Sequence, residues 1–301
     1  MTYDIIIVGA GPAGLTAAIY SLRAKKSVLI IEKGALGGQM TFSPKIENYP
    51  GFIELSGNEL ADKMTEQALS LGAEIEIGSV IKIKDNGKTK TVLTEDNEFE
   101  ARTVILAVGA EHRRLGVKNE EELIGNGVSF CAVCDAAFFN NQSVCLAGGG
   151  NSAMQEALLL SENCKKVTMI QNLAFLTGEE TLKEKIAAKN NIEIIYNSVV
   201  TGLLSDSSLT GVEIENTETK EKRIVNADGL FVAVGLKPDT EPFKDIITLD
   251  DFGYINADES CLTNIPGIFT AGDCRKKSVR QVSTAVSDGA SAAIAAVKFI
   301  G

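Results

Sequence analysis

Two apolar runs, each followed by a glycine-rich turn, organise the hydrophobic pattern of this chain. Ile5-Ile6-Ile7-Val8 leads into Gly9-Ala10-Gly11-Pro12-Ala13-Gly14, and Ser143-Val144-Cys145-Leu146-Ala147 leads into Gly148-Gly149-Gly150-Asn151-Ser152-Ala153. A segment with helical spacing of apolar residues follows each turn, and a further apolar run follows that segment. Uninterrupted apolar runs of this length predict strands buried on both faces of a parallel sheet. The repeated order predicts two nucleotide-binding units of the α/β class.

The same pattern predicts the remaining elements of both units. In the first unit we expect a helix to about Lys25, a strand at 28–31, a long loop at 34–57, a helix at about 58–71 and a strand at 103–109. In the second unit we expect a helix carrying Met154, Ala157, Leu158 and Leu160, then strands at 167–170 and 230–235. A last strand at 268–273 and a helix at about 280–299 complete the chain.

The segment after Gly235 decides how the units are connected. One strand and one helix are too few for a third domain, so they should complete the first unit. The predicted fold is α/β, with two Rossmann-like domains of the FAD/NAD(P)-binding type, the second inserted into the first. We place the outer domain at residues 1–112 and 240–301 and the inserted domain at 113–239. The linkers at 109–117 and 235–240 should then run side by side.

The first glycine turn has the complete setting of a dinucleotide fingerprint. Gly9 makes the turn, Gly11 lets the backbone approach a pyrophosphate, and Gly14 lets the helix pack closely on the strand. Glu32 stands at the end of the next strand, at the spacing expected for an acid that binds a ribose hydroxyl. Strand, turn, helix, strand and acid together indicate a bound dinucleotide.

Composition restricts the partners and the compartment. The chain has 301 residues, is 45% hydrophobic and carries a formal net charge of −11, which argues against nucleic acid or an anionic membrane as the main partner. The N-terminus shows no secretory signal, and no apolar stretch is long enough to span a bilayer. Six cysteines without an export signal indicate the reducing cytoplasm.

Cys131-Ala132-Val133-Cys134-Asp135 is the candidate reactive centre. This spacing lets two thiols close a disulfide with little backbone movement, a helix start favours the thiolate, and Asp135 is a natural proton donor. Half of a zinc site is the alternative, but there is no second pair and His112 is the only histidine, so we expect no metal site. The other four cysteines, 145, 164, 261 and 274, we interpret as buried or inert thiols.

These motifs together resemble the low-molecular-weight thioredoxin reductases. The resemblance rests on the first glycine turn, Gly37-Gly38-Gln39, Glu47-Asn48-Tyr49-Pro50-Gly51, the cysteine motif, Gly272-Asp273 and Arg280-Gln281, and it covers essentially the whole chain.

The resemblance implies a set of site residues and partners. It implies FAD bound by Gly9, Gly11, Pro12, Ala13, Gly14, Glu32, Gly38, Gln39, Asn48, Gly109, Gly272, Asp273, Arg280 and Gln281. It also implies that Cys134 accepts electrons from the flavin, that Cys131 attacks the disulfide of thioredoxin, and that Asp135 is the general acid and base. A homodimer and a rotating inserted domain belong to the same expectation.

The chain departs from that family where NADPH would bind. Residues 167–182 contain no Lys, Arg or His, so a 2′-phosphate has no cationic partner, and Gln171 stands where NAD would favour an acid. The Gly148 turn could be retained for packing alone. This departure resembles the ferredoxin-dependent flavin thioredoxin reductases. We therefore expect ferredoxin as electron donor, docked on a basic patch of Arg275, Lys276, Lys277 and Arg280, extended by Arg113 and Arg114.

Two other functions stay open. One is an NADPH- or NADH-dependent thioredoxin reductase with unusual nucleotide recognition. The other is a flavin-bearing redox sensor that does not turn over, against which the intact Cys-x-x-Cys-Asp motif argues.

Overall fold

The computed structural model describes residues 2–42, 46, 48–130 and 132–301. In chain order the strands are β1 (Thr2–Val8), β2 (Val28–Glu32), β3 (Glu74–Ile77), β4 (Val80–Asp85), β5 (Lys90–Thr94), β6 (Glu98–Leu106), β7 (Ala110–His112), β8 (Val128–Ser129), β9 (Ser143–Ala147), β10 (Lys166–Ile170), β11 (Ile192–Ile195), β12 (Ser198–Ser205), β13 (Leu209–Asn216), β14 (Lys222–Asn226), β15 (Gly229–Val232), β16 (Leu236–Pro238) and β17 (Ile268–Thr270).

The helices follow the same order. They are α1 (Pro12–Arg23), α2 (Gly57–Ser70), α3 (Ala132–Asp135), α4 (Asn151–Asn163), α5 (Glu180–Ala187) and α6 (Val282–Ile300). Short 3-10 helices lie at Gly38–Phe42, Ala136–Phe139, Glu241–Phe243 and Gly272–Cys274. None of the helices in these ranges is long and apolar enough to cross a membrane.

The chain divides into two compact units, residues 1–111 with 237–301 and residues 112–236. In unit 1 the strand order is β3-β2-β1-β6-β5-β4, and β17 adds to β6. β1 lies parallel between β2 and β6 because its side chains are apolar on both faces and need a covered sheet. α1 and α6 pack on each other over one face. The segment after residue 237 therefore completes the sheet and the helical layer of unit 1.

Unit 2 repeats this architecture. Its parallel sheet has the order β11-β10-β9-β15-β8. One core contains buried residues of α4 and α5, and a second core joins the opposite face of the sheet to the antiparallel strands β12–β14. In both units a glycine turn follows a strand flanked on both sides, which is where doubly wound sheets open a crevice for ligands.

The predicted fold class is confirmed, with two Rossmann-type units and the second inserted into the first. Helix ends differ from the predicted ones by one or two residues, since α1 ends at Arg23 and α6 begins at Val282. The strand predicted at 230–235 ends at Val232, because the chain then turns at Gly235 with a φ of +100°. The predicted linkers contain β7 and β16, which pair with each other.

Candidate functional site

The first glycine turn of unit 1 is shaped by close backbone contacts. Gly9 has a φ of +106°, and a Cβ there would lie 2.3 Å from the carbonyl oxygen of Ala107. A Cβ on Gly14 would lie 1.8 Å from the Gly9 carbonyl oxygen. Gly11 instead faces open space, and α1 begins after it without a side-chain cap. The N–H groups in the first turn of α1, including that of Ala13, therefore border an open region suited to an anion, and Pro12, which has no N–H, begins the helix.

Glu32 fixes the turn rather than pointing away from it. Its Oε2 accepts a hydrogen bond from the Ala10 N–H at 2.6 Å, and its Oε1 accepts from the Gly34 N–H at 2.8 Å. Each carboxylate oxygen keeps a second lone pair for a further donor.

Two more glycine segments converge on the start of α1. Gly37 donates its N–H to the Ala10 carbonyl oxygen at 2.8 Å, and a Cβ on Gly38 would lie 3.2 Å from Gly11 Cα. Gly272, with a φ of +81°, would place a Cβ 2.9 Å from the Cβ of Ala13. Gln39 follows Gly38 with an exposed side chain. The fold thus brings together three segments that are far apart in sequence.

Asp273, Arg280, Gln281 and Asn48 form a second group in unit 1. Asp273 Oδ1 is buried without a hydrogen-bond partner, and burial raises the pKa of this carboxyl. Arg280 donates Nε to the Asp273 carbonyl oxygen at 3.3 Å and lies over the ring of Tyr254 at 4.0 Å. Asn48 donates Nδ2 to Gln281 Oε1 at 3.0 Å, just before α6.

Gly109 follows β6, and its backbone has a hydrogen bond with Cys274, the neighbour of Asp273. It has a φ of +68°, its carbonyl oxygen accepts from the Asp239 N–H at 3.4 Å, and, its chain neighbours aside, no described residue has an atom within 4 Å of the position a Cβ would take.

The cysteine pair falls partly outside the described residues. Cys131 lies outside them, and of Cys134 only the backbone, within α3, is described. Asp135 ends α3, which is one turn long and continues as a 3-10 helix. A single turn carries a small dipole, so the helix start contributes less to thiolate stability than the sequence argument assumed.

The burial predicted for the remaining cysteines is confirmed. Cys145, Cys164, Cys261 and Cys274 are buried free thiols. Burial raises the pKa of Cys145 and Cys261 to about 12, and that of Cys164 to about 11. Thiols with such pKa values are inert at neutral pH.

The second glycine turn borders an open cavity in unit 2. Gly148 has a φ of +133°, and a Cβ there would lie 2.3 Å from the Ala233 carbonyl oxygen. α4 begins after Gly150 without a side-chain cap, as α1 does after Gly11. The cavity measures about 660 Å³. Its lining includes His112, Arg114, the Gly148–Ala153 turn, Glu156, the segment 170–173, Thr177, residues 198–200 and residues 233–236.

Glu156 is a cavity residue that the sequence analysis missed. Its Oε2 is buried without a partner, and burial raises the pKa of the carboxyl to about 8. The signal was present in the helical period, since position 156 lies three residues after Ala153 and four before Leu160, both buried. Glutamate at such a position faces inward.

The predicted basic patch is wrong for two of its cations, Arg275 and Lys277. Arg275 is only 2% exposed and pairs with Asp288 at 2.8 Å and with Glu259 at 2.9 Å. Lys277 donates to the same Asp288 at 2.8 Å. Burial alone would raise the pKa of Asp288, but hydrogen bonds from Arg275 and Lys277 lower it. Two of the cations predicted for the ferredoxin docking patch are therefore neutralised inside unit 1, while Lys276, Arg113 and Arg114 are exposed.

Comparisons with known proteins agree with this geometry. Residues 3–289 match the family model described as pyridine nucleotide-disulphide oxidoreductase. A thioredoxin reductase from Listeria monocytogenes is 44% identical over 99% of this chain and 94% of its own length. The crystal structure of Lactococcus lactis thioredoxin reductase is 42% identical, covers 99% of both chains and has a TM-score of 0.90. A ferredoxin-flavin thioredoxin reductase from Clostridium acetobutylicum is 31% identical, with a TM-score of 0.54.

Proposed function

Because this chain belongs to the low-molecular-weight thioredoxin reductase family of flavoprotein disulfide oxidoreductases, we propose that it reduces thioredoxin through Cys131 and Cys134 with electrons from a pyridine nucleotide. The observation that carries the choice of donor is the cavity of about 660 Å³ at the second glycine turn. Its size suits a nucleotide, and the uncapped start of α4 offers N–H groups to a pyrophosphate. The ferredoxin donor has less support, because Arg275 and Lys277 of its predicted docking patch pair with Asp288 inside unit 1.

FAD is the flavin that unit 1 fits. The uncapped start of α1, the open space at Gly11 and the backbone-bound Glu32 suit the adenosine diphosphate half. The buried Oδ1 of Asp273 lacks a hydrogen-bond donor, which a ribityl hydroxyl would supply. We assign Gly38, Gln39, Asn48, Gly109, Gly272, Arg280 and Gln281 to the same site. When bound, FAD would carry an electron pair from the nucleotide to the disulfide.

The proposed chemistry at the cysteines is thiol–disulfide exchange. Cys131 thiolate attacks one sulfur of the thioredoxin disulfide, forms a mixed disulfide and expels the other sulfur as a thiolate, which takes a proton from Asp135. Cys134 thiolate then attacks the Cys131 sulfur and expels the second thioredoxin sulfur as a thiolate, which takes its proton from water. Thioredoxin gains two electrons and two protons, and the Cys131–Cys134 disulfide forms. Reduction of that disulfide by two electrons restores the pair.

Trapping the mixed disulfide tests the two cysteine roles. In Cys134→Ser the second attack is impossible, so we expect a stable covalent adduct with thioredoxin, visible as the summed mass. In Cys131→Ser we expect no such adduct. Cys164→Ser, which changes a buried thiol, is the control and should turn over like the wild type. An adduct in Cys131→Ser but not in Cys134→Ser would reverse the assignment.

Anaerobic reduction of the flavoprotein tests the donor. We expect NADH or NADPH to bleach the flavin absorbance. Reduced ferredoxin should bleach it no faster than a small dye reduced by dithionite, which serves as a non-specific electron donor. Rapid bleaching by reduced ferredoxin, without bleaching by either nucleotide, would refute the nucleotide proposal and support ferredoxin as the electron donor. Bleaching without any reduction of thioredoxin would indicate the redox sensor instead.

The compartment and the assembly complete the proposal. We infer a cytoplasmic enzyme, because a pair of thiols that must cycle between oxidised and reduced forms needs a reducing surrounding. We infer a homodimer from the family resemblance.

A further inference from the structure

The side chain of Gln171 is held in one orientation at the end of β10. Its Nε2 donates to the carbonyl oxygen of Phe175 at 2.8 Å, and the residue is only 3% exposed. Its amide lies flat on Gly149, where a Cβ would come within 2.4 Å of the Gln171 Cδ. Thr177 ties the same segment to the turn, since its N–H donates to the Gly149 carbonyl oxygen at 2.9 Å. The amide therefore belongs to the wall of the cavity.

This orientation decides which atom of Gln171 can meet a ligand. A backbone carbonyl only accepts, so the atom that faces Phe175 must be the NH₂ group. Oε1 is then the atom left over, and it makes no hydrogen bond to any of the described residues. The end of β10 thus presents an acceptor without charge. In dinucleotide-binding folds the end of this strand lies at the ribose of the adenosine.

The charges around Gln171 also disfavour a 2′-phosphate. The cavity-lining residues next to Gln171 in sequence, Asn172 and Leu173, are uncharged, as is Thr177. The cations that bracket the segment pair elsewhere, with Lys166 on Glu193 at 2.6 Å and Lys183 on Glu180 at 3.1 Å.

An acid also stands close to the turn. Glu179 donates its N–H to Asn151 Oδ1 at 2.7 Å, and Asn151 opens α4. The lining segment 170–173 and Thr177 therefore offer a 2′-phosphate no cation, and Arg114, the lining cation, lies over the ring of Phe130 at 4.3 Å.

We propose that this cavity selects the nucleotide with a free 2′-hydroxyl, because Gln171 Oε1 accepts a hydrogen bond from that hydroxyl and repels a 2′-phosphate, so that NADH is the electron donor and NADPH is rejected. The inference rests on the proposed function, because it concerns the same nucleotide site. Gln171 is a specificity-determining residue in it, and Gly149 is its support, since any larger residue there would displace the amide.

Titration calorimetry with oxidised nucleotides tests the inference without any electron transfer. We expect the purified flavoprotein to bind NAD⁺ about 10-fold or more tightly than NADP⁺. A 2′-phosphate facing Gln171 Oε1 without a cation should lose more binding free energy than a tenfold change in affinity represents. The fragments 5′-AMP and 2′,5′-ADP should show the same order.

An added cation should reverse this preference. Asn172→Arg changes an exposed residue of the cavity lining, and we expect it to move the NAD⁺ to NADP⁺ affinity ratio at least 10-fold toward NADP⁺. Asn190→Arg adds the same charge at an exposed position of unit 2 outside the lining and should leave the ratio unchanged.

The outcomes separate this inference from the proposed function. A wild type that binds NADP⁺ as tightly as NAD⁺, or more tightly, would overturn the selectivity while leaving the nucleotide donor in place. An unchanged ratio in Asn172→Arg would overturn the placement of the ribose at the end of β10. Failure of the wild type to bind either nucleotide would overturn the donor proposal itself, and the selectivity with it.

Discussion

Glu156→Gln should stabilise the protein, and the gain should depend on pH. The pKa of this carboxyl rises from 4.5 to about 8 on folding, because its charge is buried without a partner. Since the folded pKa is the higher one, the wild type is most stable below pH 4.5 and loses stability as the pH rises toward about 8. Glutamine has the shape of the protonated acid and no charge to bury.

The size of the effect follows from the shift. Taken in full, a rise from 4.5 to about 8 corresponds to roughly 5 kcal/mol. The side chain lines an open cavity, so water can partly solvate the carboxylate and reduce this cost. We therefore expect the buried charge to destabilise the wild type by about 2 kcal/mol at pH 8. At roughly 2–4 °C per kcal/mol, the midpoint of unfolding should rise by about 5 °C.

Thermal unfolding followed by circular dichroism at pH 5 and pH 8 measures the difference. The variant should exceed the wild type by about 5 °C at pH 8 and by less than about 2 °C at pH 5. Glu162→Gln, at an exposed position of the same helix, removes the same charge and should change neither value. An equal offset at both pH values, or a variant less stable at pH 8, would mean that the carboxylate is not an unpaired buried charge.

Two further substitutions test unit 1. Asp288→Asn should lower the free energy of unfolding, measured by denaturant titration, by about 3 kcal/mol, because the cations of Arg275 and Lys277 lose their shared carboxylate. Ser287→Asn, at an exposed position, is the control. A titration curve of Asp288→Asn that superimposes on that of the wild type would contradict the pairing. Gly14→Ala should abolish flavin retention, measured as flavin absorbance per protein, because its Cβ would lie 1.8 Å from the Gly9 carbonyl oxygen. Gly78→Ala, whose nearest contact is 3.7 Å, should retain the flavin.

The fold was predictable because its signals are local. β1 and β9 each contain an apolar run that ends in a glycine turn, and each turn leads into a helix, so neighbouring residues alone predict the parallel strands at the centre of both sheets. The groups around Asp273 and Gly38 were found only through the family resemblance, since their members lie far apart in sequence.

The basic patch and Glu156 show where sequence reasoning fails. Arg275-Lys276-Lys277 has the appearance of a solvated charge run, and Asp288, which pairs with Arg275, lies 13 residues later on the buried face of α6. Glu156 looks like one more charged helical residue unless the apolar period around it is counted. In both cases the deciding contact is tertiary, so no local rule reveals whether the charge is paired or isolated.

The divided construction of unit 1 has a consequence for the order in which the protein is made. β17 completes the Val104–Leu106 end of β6, and it is synthesised only after all of residues 112–236, a delay of about 10 s at ribosomal speed. During that interval unit 2 can fold while β6 keeps an open edge beside an unfinished helical layer. Asp273, which we assign to the flavin site in the proposed function, is also synthesised only then, so we expect flavin loading to follow translation of that segment.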